Sequence, residues 1–300
     1  MIGTTCVIVN PVAGRGGIRS AIPHIRDVFA AHGVTAFVET TTAGEEEPLA
    51  RAAIADGATT IIAVGGDGTC GGIANAILRS GAPCRLALVP SGTGNDFAKT
   101  LGVSDHNPEM VANLVMSGRE TRIDVGVADG RHFLNSCGFG FDAAVLDASN
   151  RVRFLKGNAV YIFTAITKLF TYRGTRISAR GVAGVPDGAM LMVTVSNGRS
   201  LGGAFRIAPT ASVTDGKLDV CFFRDAGVVE RVRLFAGAMR GTHLGMHAVS
   251  AAKIERLTLT FETNPAMEMD GELRTAESTS VEVSVVPSAL SVLAAPGALI

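Results

Sequence analysis

Short apolar runs of strand type alternate with stretches of helical spacing over about the first 120 residues of the chain. In one such stretch Ile18, Ile22, Ile25 and Phe29 recur every three or four residues and so share one helix face. Glu45–Glu47 stand at the start of the next stretch and predict a helix N-terminus there, because carboxylates are favourable at that end of a helix. The predicted strands are Thr5–Asn10, Val34–Thr40, Thr60–Val64 and Arg85–Pro90. The alternation predicts a parallel sheet with helices on both faces, which binds ligands beyond the carboxyl ends of its strands.

From Arg122 onward, short strands separated by Asp-Gly turns replace the alternation. Asp129-Gly130 separates the runs Arg122–Ala128 and Arg131–Ser136, which is a β-hairpin signal. This pattern predicts a first domain at 1–122, a second and mostly antiparallel domain at 123–286, and 287–300 as a candidate for return to the first. Other predicted strands are Met190–Ser196, Leu218–Phe223, Arg256–Phe261, Ser280–Val286 and Leu290–Leu293, with turn signals at Asp187-Gly188, Asp215-Gly216 and Asp270-Gly271.

The charge balance argues against a nucleic-acid-binding protein, because Lys and Arg together number 27 and Asp and Glu together also number 27. Hydrophobic residues make up 47% of the chain and charged residues 18%, which is sufficient for a folded core. No apolar run approaches the roughly 18 residues of a spanning helix and no signal peptide is recognisable, so we expect a cytoplasmic protein. The five scattered cysteines predict reduced thiols rather than disulfides or a zinc site.

Segment 64–69 (VGGDGT) follows an apolar strand and precedes a helical stretch. Its three glycines allow the backbone to approach a polyphosphate closely and to turn N–H groups toward it, and the following helix N-terminus adds its dipole. Asp67 offers a carboxylate to a magnesium ion. The alternative is a strand-to-helix turn that merely requires glycine. The segment is neither a P-loop nor a GxGxxG dinucleotide motif.

Two further loops follow predicted strands. In segment 90–98 (PSGTGNDFA), Ser91, Thr93 and Asn95 offer hydroxyl and amide groups to phosphates, and Asp96 offers a second carboxylate. A capped helix start is the alternative for this segment. Segment 10–16 (NPVAGRG) follows the first strand and is either part of the same site or an ordinary loop.

In this order and spacing, the three loops resemble the diacylglycerol kinase catalytic-domain family, which also includes sphingosine and ceramide kinases. Three later segments are also similar to motifs of this family. Ile123–Gly126 (IDVG) resembles its D-x-G motif, Asp215–Val220 (DGKLDV) resembles its metal-binding loop, and Met269–Glu272 (MDGE) resembles its DGE motif. The resemblance spans most of the chain and is greatest to soluble bacterial members.

The resemblance implies an ATP-dependent lipid kinase with a doubly wound α/β domain of the NAD-kinase and phosphofructokinase type, followed by a mostly antiparallel β-sandwich that binds lipid and metal. It implies that Asp270 is the general base, and Glu272 has the same side-chain parity if both lie on one strand. The residues implied around the catalytic Mg²⁺ are Asp67, Asp96 and Asp124, and those around a structural divalent ion are Asp215 and Lys217. The implied ATP-binding residues are Asn10, Pro11, Val12, Ala13, Gly14, Thr40, Gly65, Gly66, Asp67, Gly68, Thr69, Asn75, Ser91, Thr93 and Asn95.

Residues 70–75 depart from the family pattern. The family usually has L-N-E-V-x-N after GGDGT, whereas this chain has CGGIAN, so Gly71 and Gly72 replace the usual Asn and Glu while Asn75 is retained. Each glycine costs a helix roughly 0.5–1 kcal/mol relative to alanine. We therefore expect an altered affinity rather than an inactive site.

Segment 151–180 is the candidate membrane contact. Within it Val160, Phe163, Ile166, Leu169 and Phe170 recur at helical spacing. A basic amphipathic segment suits the surface of an anionic membrane, whereas a helix packed on the second domain is the alternative. The stretch has no acidic residue, and its basic residues are Arg151, Arg153, Lys156, Lys168, Arg173, Arg176 and Arg180.

Two other functions remain open at this point. One is a soluble-substrate kinase of the NAD kinase or phosphofructokinase type, against which the PSGTGNDFA segment argues. The other is a non-catalytic lipid- or nucleotide-binding regulator, against which the retained Asp67, Asp96, Asp124 and Asp270 argue. The sequence does not identify the acceptor lipid, and a homodimer is a further expectation.

Overall fold

The computed structural model of this chain describes residues 4–103, 106–117, 120–152, 158–183, 185 and 188–298. The chain divides into unit 1, formed by Met1–Ile123 and Ser288–Ile300, and unit 2, formed by Asp124–Pro287. In sequence, unit 2 is therefore an insertion into unit 1. Arg153, Lys156 and Asp187, which belong to the predicted basic segment and turns, lie outside the described residues.

Unit 1 is built on a parallel sheet. Its elements are β1 (Thr4–Val9), α1 (Ala13–Gly16), α2 (Ile22–Ala31), β2 (Ala36–Glu39), α3 (Glu46–Ala55), β3 (Ala58–Gly65), α4 (Asp67–Ser80), β4 (Arg85–Pro90), α5 (Asp96–Thr100) and α6 (Pro108–Ser117). The strands lie in the order β2, β1, β3, β4, all parallel. Residues 7–9 and 61–64 are wholly buried, because a parallel sheet covered on both faces requires continuous apolar runs.

Unit 2 consists of antiparallel strands and three helices within the described residues. Its elements are β5 (Glu120–Ala128), β6 (Arg131–Phe133), β7 (Ser136–Gly140), α7 (Phe141–Arg151), α8 (Asn158–Thr171), β8 (Thr175–Arg180), β9 (Ala189–Ser196), β10 (Leu218–Arg224), α9 (Val228–Arg240), β11 (Val249–Ile254), β12 (Arg256–Phe261), β13 (Ala266–Met269), β14 (Glu272–Thr275) and β15 (Ser280–Leu293). β5 begins, and β15 ends, in unit 1. One run of antiparallel pairs joins β14, β13, β7, β9, β10 and β11, and another joins β8, β12 and β15.

Two apolar cores hold unit 2 together. One contains Phe139, Val193 and Leu259 and fills the β-sandwich, while the other contains Leu169 and Leu234 and joins the sheet to α7, α8 and α9. The predicted fold class, an α/β domain followed by a mostly antiparallel β-sandwich, is confirmed. Within the described ranges, no helix is both long enough and apolar enough to cross a bilayer.

Three predicted strands were wrong in their limits. The run Arg131–Ser136 splits into β6 and β7, because the N–H groups of Leu134 and Asn135 donate to the Asp270 carboxylate rather than to a neighbouring strand. The two terminal runs form one strand, β15, and its Ser291 and Val292 pair in parallel with β4.

Candidate active site

Three loops meet at the carboxyl ends of β1, β3 and β4 in unit 1. The Ser91 N–H donates to the Gly65 carbonyl oxygen (2.7 Å), the Asn10 N–H donates to the Val64 carbonyl oxygen (2.9 Å), and Asn10 Nδ2 donates to Thr69 Oγ1 (3.0 Å). Parallel strands end at the same edge of a sheet, so the NPVAGRG, GGDGT and PSGTGNDFA loops lie against one another.

Glycines allow these loops to approach so closely. A Cβ atom on Gly92 would lie 2.5 Å from the Gly66 Cα, and one on Gly14 would lie 2.6 Å from the Ser91 carbonyl oxygen. Both distances are too short for a side chain. The predicted role of glycine, which is close backbone approach, therefore applies between the loops themselves.

Asp67 and Asp96 begin α4 and α5 and lie close together in unit 1. Asp67 Oδ1 accepts a hydrogen bond from the N–H of Phe97 (3.1 Å), the residue after Asp96. The Asp96 carboxylate is buried and pairs with Lys99 Nζ (2.7 Å). Mg²⁺ is commonly held by one or two carboxylates together with substrate phosphates, so Asp67 supplies a donor of the kind that the implied ion needs, whereas Asp96 is neutralised by Lys99.

Three other predicted nucleotide-binding residues instead shape the loops. Asn95 (φ 50°) folds its side chain back on Gly92, accepting from the Gly92 N–H (2.8 Å) and donating to the Gly92 carbonyl oxygen (3.1 Å). Asn75 is buried and donates to the Gly71 carbonyl oxygen (2.9 Å), and the Ser91 hydroxyl donates to the Val89 carbonyl oxygen (3.3 Å).

The remaining predicted nucleotide-binding residues lie at the same sheet edge. Thr40 is buried beside the end of β1, where its N–H donates to the Val9 carbonyl oxygen (2.9 Å). Thr93 is exposed, and so is Val12, at 54% of its surface. Pro11 precedes α1, which begins at Ala13.

In unit 2, Asp270 and Gly271 form the two-residue turn between β13 and β14. Both residues have positive φ (48° and 83°), as a type I′ hairpin turn requires. The Asp270 carboxylate is buried and accepts three backbone hydrogen bonds, with Oδ1 accepting from Asn135 and Ser136 and Oδ2 from Leu134 (2.7–3.1 Å). Burial raises its pKa to about 6, although these three donors oppose the rise.

The expectation that Asp270 and Glu272 share one strand is wrong. The turn separates them, so Glu272 begins β14, where its carboxylate pairs with Arg274 (2.7 Å). Glu272 therefore contributes its charge near Asp270, which raises the pKa of that carboxyl further.

A buried acidic pair beside Asp270 was missed by sequence reasoning. Glu268 Oε1 accepts the Gly271 N–H (2.5 Å), and Tyr161 donates to Asp142 Oδ1 (2.5 Å). Burial, followed by the Asp142 charge, raises the pKa of Glu268 well above its ordinary value. The sequence signal for Glu268 was its position between Met267 and Met269 on an otherwise apolar strand.

Asp124 and Asp215 lie in another part of unit 2. The Asp124 carboxylate is buried and its Oδ2 accepts the Gly216 N–H (2.6 Å), which ties the Asp215-Gly216 turn to β5. Unit 1 holds Asp67 and Asp96, whereas Asp124 begins unit 2.

A lysine faces the residues implied to hold a structural ion. Lys253 Nζ lies 2.6 Å from Asp215 Oδ2 and 3.1 Å from Asp219 Oδ2, because β10 and β11 place Asp219 opposite Lys253. The Lys217 N–H donates to Asp215 Oδ1 (3.1 Å). The described residues contain no cluster of three or more His, Cys, Asp or Glu suited to a metal. The carboxylates of Asp215 and Asp219 are thus neutralised by an ammonium group and do not fit the structural ion.

A small apolar chamber of about 50 Å³, partly open to solvent, lies among α7, α8, α9 and the sheet of unit 2. Asp142, Tyr161 and Arg231 are the polar or charged residues of its lining. Asp142, at the polar end of the chamber, contacts Glu268, and Glu268 accepts the N–H of Gly271, the residue after Asp270. These contacts connect the chamber to Asp270. The apolar lining comprises Phe141, Ala165, Leu169, Leu191, Met192, Leu201, Phe205, Ile207, Phe223, Leu234, Phe235 and Ala238.

Two family models match the chain and together span most of it. The diacylglycerol kinase catalytic domain matches residues 4–128, and the YegS C-terminal NAD kinase beta sandwich-like domain matches residues 135–294.

Known proteins resemble the chain over much of its length. It is 27% identical to a diacylglycerol kinase of Bacillus subtilis, over 89% of this chain and 88% of that protein. It is 32% identical to a YegS-like lipid kinase of Pseudomonas aeruginosa, over 71% and 70% respectively. A crystal structure of a diacylglycerol kinase from Bacillus anthracis superposes with a TM-score of 0.75 at 22% identity, covering 98% of both chains, which shows the shared fold.

Proposed function

Because the chain belongs to the family of diacylglycerol kinases and YegS-like lipid kinases, we propose that it transfers the γ-phosphoryl group of ATP to a hydroxyl group of a membrane lipid such as diacylglycerol. The observation that carries the proposal is the meeting of three glycine-containing loops at one edge of the unit 1 sheet. These loops present backbone N–H groups and two carboxylates at the ends of parallel strands, where such sheets bind their ligands.

Phosphoryl transfer depends mainly on positioning and on neutralisation of charge. Backbone N–H groups of Gly66–Gly68 and the exposed Thr93 hydroxyl hold the phosphates of ATP. Asp67 would hold Mg²⁺, with Asp96 and Asp124 as the other carboxylates that the resemblance implies, and the ion would offset the negative charge of the transferred group.

Asp270 takes the proton of the acceptor hydroxyl. Its Oδ2 accepts one backbone hydrogen bond whereas Oδ1 accepts two, so Oδ2 has the remaining lone pair. The backbone donors hold the carboxylate in one orientation, and a pKa of about 6 leaves it ionised at neutral pH but basic enough to accept a proton.

The apolar chamber supports a lipid acceptor rather than a soluble one. An acyl chain gains roughly 0.8 kcal/mol for each CH₂ group that it buries in such a lining, whereas a sugar phosphate offers no comparable apolar chain. We expect this chamber to widen and to take up one acyl chain.

The decisive test is ATP turnover by the purified protein, with Mg²⁺, on diacylglycerol, phosphatidylglycerol and sphingoid-base micelles and on NAD and fructose 6-phosphate. Phosphorylation of a lipid alone supports the proposal. Phosphorylation of a soluble substrate alone favours the soluble-substrate kinase, and nucleotide binding without turnover on any acceptor favours a regulator.

Filling the chamber should select against long acyl chains. Ala165 is buried in its wall, so Ala165→Phe is expected to lower kcat/KM for dioleoylglycerol on the order of tenfold while the KM for ATP stays unchanged. Ala252→Phe, which packs against the other core of unit 2, is the control. Equal losses in both variants would show a general packing defect rather than an acyl site.

The predicted membrane contact rests on one face of α8. Of the five apolar residues at helical spacing, Val160 and Leu169 are buried, whereas Phe163, Ile166 and Phe170 are 42%, 43% and 60% exposed. Arg173 and Arg176 follow this helix and are exposed. We propose that this face enters the interface of an anionic membrane, with the basic residues at its headgroups.

Removing the exposed apolar side chains of α8 should weaken membrane binding. The triple variant Phe163→Ser, Ile166→Ser and Phe170→Ser is expected to lower partitioning onto phosphatidylglycerol vesicles by at least about tenfold, since each side chain loses apolar contact. Vesicle co-sedimentation measures this, and Leu273→Ser, an exposed site on β14, is the control. Unchanged co-sedimentation of the triple variant would exclude this face.

A further inference from the structure

Glu46 is a buried carboxylate in the first turn of α3, with 7% of its surface exposed. Its Oε1 accepts a hydrogen bond from Asn10 Nδ2 (2.9 Å). An acidic side chain in the first turn of a helix interacts favourably with the positive end of the helix dipole. A hydrogen bond that a carboxylate accepts is charge-assisted, a class worth more than a neutral one.

Asn10 joins two of the three loops. Its Nδ2 also donates to Thr69 Oγ1 (3.0 Å), and its Oδ1 accepts the N–H of Val12 (3.1 Å). Glu46 thus fixes a side chain that links the NPVAGRG loop to the GGDGT loop, although Glu46 belongs to neither.

Gly72 explains how Glu46 reaches this place. A Cβ atom on Gly72 would lie 3.4 Å from the Glu46 Cβ, so α3 packs against α4 where α4 has no side chain. Gly72 also stands where the family pattern has glutamate. A glutamate side chain at position 72 of α4 would therefore start next to the place from which the Glu46 side chain of α3 starts.

We propose that Glu46 is a positioning residue of the nucleotide site, supplying from α3 the carboxylate that other family members carry at position 72. This inference rests on the proposed function, because its effect is on ATP. Glu46 orients the Asn10 amide, and Asn10 in turn holds the two loops that receive the phosphates. Glu46 thus compensates for the carboxylate that is absent at Gly72, so the glycines at 71 and 72 do not indicate a nucleotide site that has lost its function.

The test is a relocation of the carboxylate. Glu46→Ala is expected to raise the KM for ATP on the order of tenfold, since a hydrogen bond to a charged group is lost, with kcat changed less than about threefold. Glu46→Gln keeps an oxygen acceptor and should stay near the wild-type KM. The double variant Glu46→Ala with Gly72→Glu should recover most of the loss, because the carboxylate returns from α4.

The control is Glu47→Ala on the same turn of α3, whose partner is Arg79 rather than Asn10 (3.1 Å). An unchanged KM in Glu46→Ala, or no recovery in the double variant, would overturn the inference. A merely structural role would lower thermal stability in Glu46→Ala without a recovery specific to Gly72→Glu.

Two safeguards separate the outcomes. If Glu46→Ala fails to fold, the affinity for a fluorescent ATP analogue is measured in Asn10→Ala, through which Glu46 is proposed to act, and an affinity equal to that of the wild type would overturn the inference. If the wild-type protein binds no ATP, the proposed function itself fails. Wild-type binding with an unaffected Glu46→Ala variant defeats the present inference alone.

Discussion

Replacing Asp270 with asparagine is expected to lower kcat for lipid phosphorylation by about 10²–10⁴-fold, the range typical of a lost general base. Asparagine cannot accept the hydroxyl proton, and its NH₂ group would face the Leu134 N–H that now donates to Oδ2. The variant should also lose stability by about 1–3 kcal/mol, because one buried backbone donor loses its acceptor. Steady-state kinetics and thermal unfolding measure the two effects separately.

Asp129→Asn is the matched control. Asp129 begins the other two-residue Asp-Gly turn of unit 2, has nearly the same backbone angle (φ 51°) and accepts one exposed backbone hydrogen bond from Glu277. Near-wild-type kcat is expected for this variant. An Asp270→Asn protein that is folded and fully active would remove Asp270 as the base.

The pH profile of the wild-type enzyme should report the same group. A base works in its ionised form, and burial raises the pKa of Asp270 to about 6, so kcat/KM should be constant above that pH. Below it, activity should fall about tenfold for each pH unit as the carboxyl takes up a proton. A profile that is flat down to pH 4 would contradict the assignment.

Gly92→Ala is expected to have the second-largest effect, a rise of at least about tenfold in the KM for ATP. The new methyl group would lie 2.5 Å from the Gly66 Cα and 2.8 Å from Asn95 Oδ1, so the GGDGT and PSGTGNDFA loops must move apart. Overpacking of this kind costs about 1–3 kcal/mol, and the separated N–H groups no longer converge on one phosphate chain.

Gly17→Ala serves as its control. Gly17 follows α1 with an ordinary φ of −61°, and a Cβ atom there would lie 3.5 Å from the Gly14 carbonyl oxygen, an ordinary van der Waals distance. Its ATP KM should stay within about twofold of wild type. ATP titration of both variants settles the question, and equal KM values would mean that loop contact is irrelevant to binding.

The sequence predicted the parallel sheet closely because its strands are apolar on both faces. Arg85–Pro90 was located without error, and β1 and β3 differ from the predicted limits by one or two residues. The Asp129-Gly130 hairpin followed from the same local chemistry. Structural features that depend on a few neighbouring residues could therefore be predicted from the sequence.

Structural features that depend on residues far apart in the chain could not be predicted from the sequence. The break between β6 and β7 exists because Asp270, more than 130 residues away, captures the two intervening N–H groups. Glu46 was interpreted only as a charge at a helix start, since its contact with Asn10 requires the folded sheet. Lys253 opposite Asp219 likewise follows from strand register, which the spacing alone did not define.

The order in which the ribosome makes this protein has a consequence for its chemistry. Ser291 and Val292 cover the β4 edge of the nucleotide-binding sheet, and they are synthesised only after all of unit 2. A nascent chain therefore exposes that edge until unit 2 has been synthesised. We expect a chain that ends before residue 288 to leave the β4 edge unpaired and to aggregate through it.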